Sequence, residues 1–149
     1  MIILAIDQAY NHTGFSIFDN DKYISHGSYI VDKKDCNEVK YEIFIETIIN
    51  LINKYNPDLV VTEKAWLGPN ARVYSLISEL IGIIRCYCYV KKIKFDSIAV
   101  STYRSKLRVK NKKEAVKELV EKSFPNIELK NDDESDAIGL GMAANIIYK

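Results

Sequence analysis

The chain has 149 residues, 48% hydrophobic and 28% charged, with 21 basic against 20 acidic side chains, the composition of one globular domain. No uninterrupted apolar run approaches the ~20 residues of a membrane-spanning helix, and the N-terminus reaches Asp7 without the basic region of a secretory leader. Three cysteines, Cys36, Cys86 and Cys88, do not make a disulfide scaffold. The expectation is one domain over 1–149, cytoplasmic and without a membrane partner. A zinc site at Cys86 and Cys88 would need four ligands, and the only histidines, His12 and His26, lie far upstream. Both thiols are therefore expected to be ordinary half-buried side chains.

In chain order, Ile2 to Ile6 is a continuous apolar run, expected as a strand buried on both faces and ending at Asp7. Thr13 to Asp19 and Tyr23 to Ile30 read as a hairpin across Asn20-Asp21. From Glu38 to Lys54 the steps between Tyr41, Ile45, Ile48, Ile52 and Tyr55 predict one apolar helical face, stopped by Asn56-Pro57. Leu59 to Thr62 is a second β-branched run, and it ends at Glu63. Arg72 to Val90 reads as a long helix, with Val73, Leu76, Ile77, Leu80, Ile81, Ile84 and Cys88 on one stripe. Ile83, Tyr87 and Tyr89 lie off that stripe, which suits a helix packed against a second subunit or one deep inside a monomer. Ile98 to Val100 is expected as a short strand, Lys112 to Ser123 as a helix ending before Pro125, and Asp133 to Ile147 as a final helix. The order predicts an α/β fold: a mixed five-stranded sheet, three antiparallel strands then two parallel, flanked by helices.

Two charge patterns stand out against the near-neutral total. Asp7 and Glu63 each close a strand that looks fully buried, where an uncompensated carboxylate costs several kcal/mol. If those strands are parallel neighbours, both acids sit at the sheet edge where open α/β sheets carry ligands. Asp133 and Asp136 share one face of the last helix, and the small residues Ala137, Gly139, Gly141, Ala143 and Ala144 would let that helix approach the sheet closely. Four converging carboxylates would repel one another unless hard cations lay between them, which points to Mg²⁺ or Mn²⁺. Two such ions suit in-line displacement at phosphorus. Taken singly, the acids have ordinary explanations: Asp133 is favoured by the helix dipole and Asp132 by capping. The second pattern is basic. Eleven Lys and Arg lie between Lys91 and Lys122 against Asp96, Glu114, Glu118 and Glu121, and no acid interrupts Tyr103 to Lys110. That is the footprint of a phosphate-rich partner, although interleaved charge from Lys112 to Lys122 also describes a solvated helix face.

In order, Ile3-Leu4-Ala5-Ile6-Asp7 with Thr13-Gly14-Phe15, then Glu63 with Trp66 and Asn70-Ala71, then Val109-Lys110 and Lys113-Glu114-Ala115-Val116, then Asp133-Glu134-Ser135-Asp136-Ala137, resemble the RuvC-type Holliday junction resolvases of the RNase H-like nuclease superfamily. The resemblance implies an RNase H-like fold and a metal-dependent endonuclease that resolves branched DNA by paired phosphodiester hydrolysis. It makes Asp7, Glu63, Asp133 and Asp136 the catalytic acids and metal ligands, with two Mg²⁺ or Mn²⁺ per site. It makes Trp66 an aromatic that stacks on an unpaired base, and Lys110 and Lys113 phosphate contacts. Arg72, Arg104, Lys106 and Arg108 complete the candidate nucleic-acid contacts. A homodimer with two active sites is implied as well. The glycine-rich stretch of cellular members is missing between Lys110 and Lys113, and Gln8-Ala9-Tyr10 replaces a Pro-Gly. With the low-GC residue usage, this resembles the phage-encoded branch, whose location would be the host cytoplasm. Two rival readings share these residues: a nuclease of RNA–DNA hybrids on the same fold, and a junction-binding module without turnover. No phosphate-cradling glycine loop is present, so a nucleotide cofactor is not expected.

Overall fold

The computed structural model describes residues 1–149, the side chain of Lys113 excepted. Five strands, β1 (Ile2–Gln8), β2 (His12–Asp19), β3 (Lys22–Ile30), β4 (Leu59–Glu63) and β5 (Lys94–Ile98), form one sheet in the order β3-β2-β1-β4-β5. β1, β2 and β3 are antiparallel, whereas β4 and β5 run parallel to β1. The hairpin turns through Asn20, whose φ of 51° is one that asparagine tolerates. The central strands β1 and β4 are buried on both faces, which is why they read as unbroken apolar runs.

Alternation along the strands divides the core in two. Ile3, Ala5, Phe18, Leu59 and Val61 face one layer, formed by α3 (Val100–Lys106), α4 (Lys113–Ser123) and α5 (Asp132–Ile147). Leu4, Ile6, Ile17 and Val60 face the other, formed by α1 (Asn37–Tyr55) and α2 (Ala71–Val90). α1 ends where Asn56 turns left-handed, at φ 45°, ahead of Pro57. α5 starts at the Asn131 cap, whose side chain accepts from the Glu134 N–H. Capping therefore falls to Asn131, and Asp132 instead extends toward Lys117 at 3.7 Å.

Several elements depart from the sequence expectation. The strand expected at Ile98 to Val100 lies upstream, because Lys94-Phe95-Asp96-Ser97 continues the ladder with β4 and Val100 already opens α3. The acid-free basic stretch is consequently a short helix and a loop. In α1 the buried stripe runs through Phe44, Ile48, Leu51 and Ile52, rotated from the expected one, so that Ile45 faces a surface groove. In α2 only Leu80, Ile81, Ile84 and Cys88 are buried, all from the middle of the helix onward, and Val73 in its first turn is exposed. Taken as a whole helix, with polar residues included, α2 is long and apolar enough to cross a membrane by length and composition, although no unbroken apolar run within it is. Cys88 is fully buried, its thiol pushed up to about 11 by desolvation, whereas Cys86 is exposed.

Candidate active site

The β1–β4 ladder ends at the Ile6↔Thr62 pair, and one residue beyond it come Asp7 and Glu63. Neighbouring strands lie ~4.8 Å apart, so the register alone brings the two half-buried carboxylates side by side. Their parity matches Ile3, Ala5, Leu59 and Val61, which puts both on the face covered by α5. Gln8 locks the arrangement: its buried side chain donates from Nε2 to the Glu63 carbonyl at 2.7 Å, tying the two strand ends together.

α5 reaches the same edge because small groups let it lie directly on β2. His12, Gly14, Ser16 and Phe18 alternate onto one face of that strand, and α5 meets them in order. His12 Nδ1 is 2.8 Å from Asp133 Oδ2, and a Cβ on Gly14 would overlap the Asp133 carbonyl. Ser16 Oγ donates to the Ala137 carbonyl at 2.7 Å, and a Cβ on Gly141 would overlap the Phe18 ring. The contacts on α5 recur at residues 133, 137 and 141, one helical turn apart. This ladder sets the axial position of the helix and hence of Asp133 and Asp136 in its first turn. The close approach expected from the small residues of α5 is what the structure shows.

Glu134 faces away from this edge. It is fully buried, accepts from Ser28 Oγ (2.8 Å) and from the Lys130 N–H (2.8 Å), and lies 3.3 Å from His26 Nε2. His26 in turn bonds the Tyr23 hydroxyl through Nδ1. Glu134 therefore pins the first turn of α5 to β3, and its neighbours Asp133 and Asp136 lie at the strand-end edge. Tyr103 of α3 packs beneath that edge. Its phenol is raised well above the usual tyrosine range by burial first, then by the negative charges of Asp136 and Glu63, so its hydroxyl stays protonated. Tyr103 thus lies within electrostatic reach of an acid from α5 and an acid from β4.

Beside Glu63 the chain runs outward through Trp66 and Leu67, 78% and 66% exposed. A groove of about 520 Å³ joins Glu63 to Trp66 and Leu67, with Val100, Ser101 and Asn111 on its other wall. Trp66 bends its ring over Gly68, where a side chain would overlap the indole. Arg72, Lys106, Arg108 and Lys110 are exposed on segments flanking this groove. Arg104 is used within the molecule, donating from Nη1 to Asn111 Oδ1 at 2.9 Å and bonding Tyr103, so it braces the loop from α3 to α4. The expected contact through Lys113 lies outside the described side chains.

No family model matches the sequence. Among curated proteins, the chain is 28% identical over 88 residues to the RuvC crossover junction endodeoxyribonuclease of Halothermothrix orenii, a match that covers 56% of this chain and spans about half (53%) of that protein's length. It is 25% identical to the RuvC protein of Hydrogenovibrio crunogenus over 91% of this chain and 82% of that one. Among solved structures, Thermus thermophilus RuvC in complex with a Holliday junction substrate superposes with a TM-score of 0.87 at 10% identity, covering 99% of this chain and 95% of that one. The fold is that of RuvC. The yeast mitochondrial Holliday junction resolvase Ydc2 aligns more loosely, with a TM-score of 0.61 at 14% identity over 98% of this chain and 80% of the other. The RuvC fold thus accounts for the mixed sheet and for the placing of α5 across its face.

For a hard divalent ion, the donor chemistry at the edge fits: Asp7, Glu63, Asp133 and Asp136 offer only carboxylate oxygens. The spacing is open, since among the described residues no three carboxylate, imidazole or thiol groups are gathered closely enough to enclose an ion. The sequence left Glu134 open as an alternative ligand, which its burial against Ser28 and His26 excludes, and it did not reveal the anchoring contacts of Gln8, His12, Tyr103 and Glu134. Only His12 carried a signal, its two-residue spacing from Gly14 and Ser16 on a strand; the others act through partners more than 30 positions away or through burial that no local pattern records.

Proposed function

We propose that this chain is a divalent-metal-dependent, structure-specific DNA endonuclease of the RuvC type that resolves Holliday junctions and other branched DNA. The observation that carries the reading is the groove shared by Glu63 and the exposed Trp66, with Asp7 on the neighbouring strand end. Asp7, Glu63, Asp133 and Asp136 would hold Mg²⁺ or Mn²⁺. Two bound ions would supply activation of the attacking water and stabilisation of the leaving oxygen. Hydrolysis then breaks the bond from phosphorus to the 3′ oxygen and leaves a 3′-hydroxyl and a 5′-phosphate. Trp66 offers a face on which an unpaired base can stack, and Arg72, Lys106, Arg108, Lys110 and Lys113 would neutralise backbone phosphates. This groove admits a strand that leaves the duplex stack, which favours a junction over a linear helix.

The proposal includes a homodimer. α1 and α2 flank an apolar groove of about 320 Å³ lined by Ile45, Ile49, Ile83, Cys86, Tyr87 and Val90, a surface that a second copy would cover. The short link between Lys110 and Lys113, the residues after Asp7 and the low-GC residue usage support placement in the phage-encoded branch, acting in the host cytoplasm.

The test is a substrate panel. Incubated with Mg²⁺ or Mn²⁺, the protein should cut a synthetic four-way junction, leave a linear duplex and an RNA–DNA hybrid intact, and stop when EDTA is added. Preferential cutting of the hybrid would transfer the site to hybrid hydrolysis, and tight junction binding without cutting in either metal would make it a binding module.

A further inference from the structure

We propose that His12 is a positioning residue for Asp133: its Nδ1–H, donated to Asp133 Oδ2 at 2.8 Å, holds that carboxylate in the orientation in which it serves a divalent ion. The inference rests on the endonuclease reading above and names a residue to which that reading gives no part. His12 belongs to β2, paired with Ile30 across the ladder, and so has a strand's fixed backbone. The backbone of Asp133 is equally fixed, because Gly14, two residues along the same face, lets α5 lie against β2 there. Both partners are thus set before the side chains meet. The Asp133 carboxylate is 19% exposed and the imidazole 46%.

Docking of α5 does not depend on this contact. The buried Ser16 to Ala137 bond, the Asn131 cap and the buried Glu134 cluster already hold the helix. A half-exposed hydrogen bond adds little to stability beside them. What it does fix is the rotamer of a single carboxylate at the metal-binding edge. Side chains that orient metal ligands in this way are worth about 10–100-fold in metal affinity.

The test is calorimetric titration of MnCl₂, without DNA, into the native protein, His12→Ala and His12→Asn, whose side-chain amide puts a donor near the place of Nδ1. His12→Ala should bind Mn²⁺ ~10–100-fold more weakly, with an unchanged thermal unfolding midpoint and unchanged junction affinity in EDTA. His12→Asn should recover most of the loss. Mn²⁺ affinity that is the same in His12→Ala as in the native protein overturns the positioning role alone. A loss that comes with a lowered unfolding midpoint and is not recovered by His12→Asn overturns it too, in favour of a structural contact. Native protein that binds no Mn²⁺ and cuts no junction overturns the endonuclease reading together with it.

Discussion

Trp66 is the only tryptophan in the chain and leaves 78% of its surface in solvent. Such exposure has no packing explanation, so Trp66→Ala should leave stability within ~0.5 kcal/mol. Loss of a base-stacking face costs about 1–3 kcal/mol, so junction affinity should fall ~5–150-fold while affinity for linear duplex holds; fluorescence anisotropy with both DNAs measures this. Glu134 behaves in the opposite way. Its carboxylate is buried among Ser28, the Lys130 N–H and His26, and Glu134→Ala orphans those groups at about 1–3 kcal/mol each. Urea denaturation should show that loss. At this scale the sequence was informative where a residue's role is local, as for an acid closing an apolar strand. It was silent where the role depends on a distant partner: nothing near Gln8 announces the Glu63 carbonyl, and nothing in Asp133-Glu134-Ser135-Asp136 distinguishes the buried Glu134 from its neighbours at the edge.

At the scale of elements, the α5–β2 ladder decides where the acids stand. Gly14 allows the contact, and a methyl group there meets the Asp133 carbonyl directly. Gly14→Ala should push the first turn of α5 off the sheet, destabilise the fold by about 1–3 kcal/mol as overpacking does, and depress junction cleavage by more than that loss of folded protein explains. Chemical denaturation beside single-turnover cleavage separates the two. The hairpin and α4 were legible from clean periodicity and from turn residues such as Asn20 and Pro125, β4 from its unbroken apolar run, and α5, which is buried on nearly every side, from its small residues behind an acidic first turn. β5 and α3 were not, because Lys94-Phe95-Asp96-Ser97 is an edge strand with one apolar residue, too few to mark it, while the apolar Ile98-Ala99-Val100 straddles the boundary between the two. The rotated stripe of α1 has a similar origin. Apolar residues occur around more than one side of that helix, and only tertiary packing selects the face that meets the sheet.

For the whole molecule, the groove between α1 and α2 is almost wholly apolar and bordered by Val90, 73% exposed. If a second copy covers it, charges placed there should separate the copies without unfolding them. Native protein should then sediment as a dimer, and Cys86→Glu combined with Val90→Glu, both at exposed positions, should sediment as a monomer and lose the pairing of cuts before it loses cutting. A variant that sediments like the native protein would place the contact elsewhere. Hydrolysis of branched DNA is the activity proposed for the carboxylate edge beside Trp66. Its most direct test maps the strand ends that native protein and Asp7→Asn generate from one four-way junction in Mg²⁺. Paired, ligatable nicks with 5′-phosphates from native protein, and none from an Asp7→Asn protein that still binds the junction, are the predicted result. Equal cutting by Asp7→Asn, or a junction bound tightly and left whole by the native protein, would contradict it.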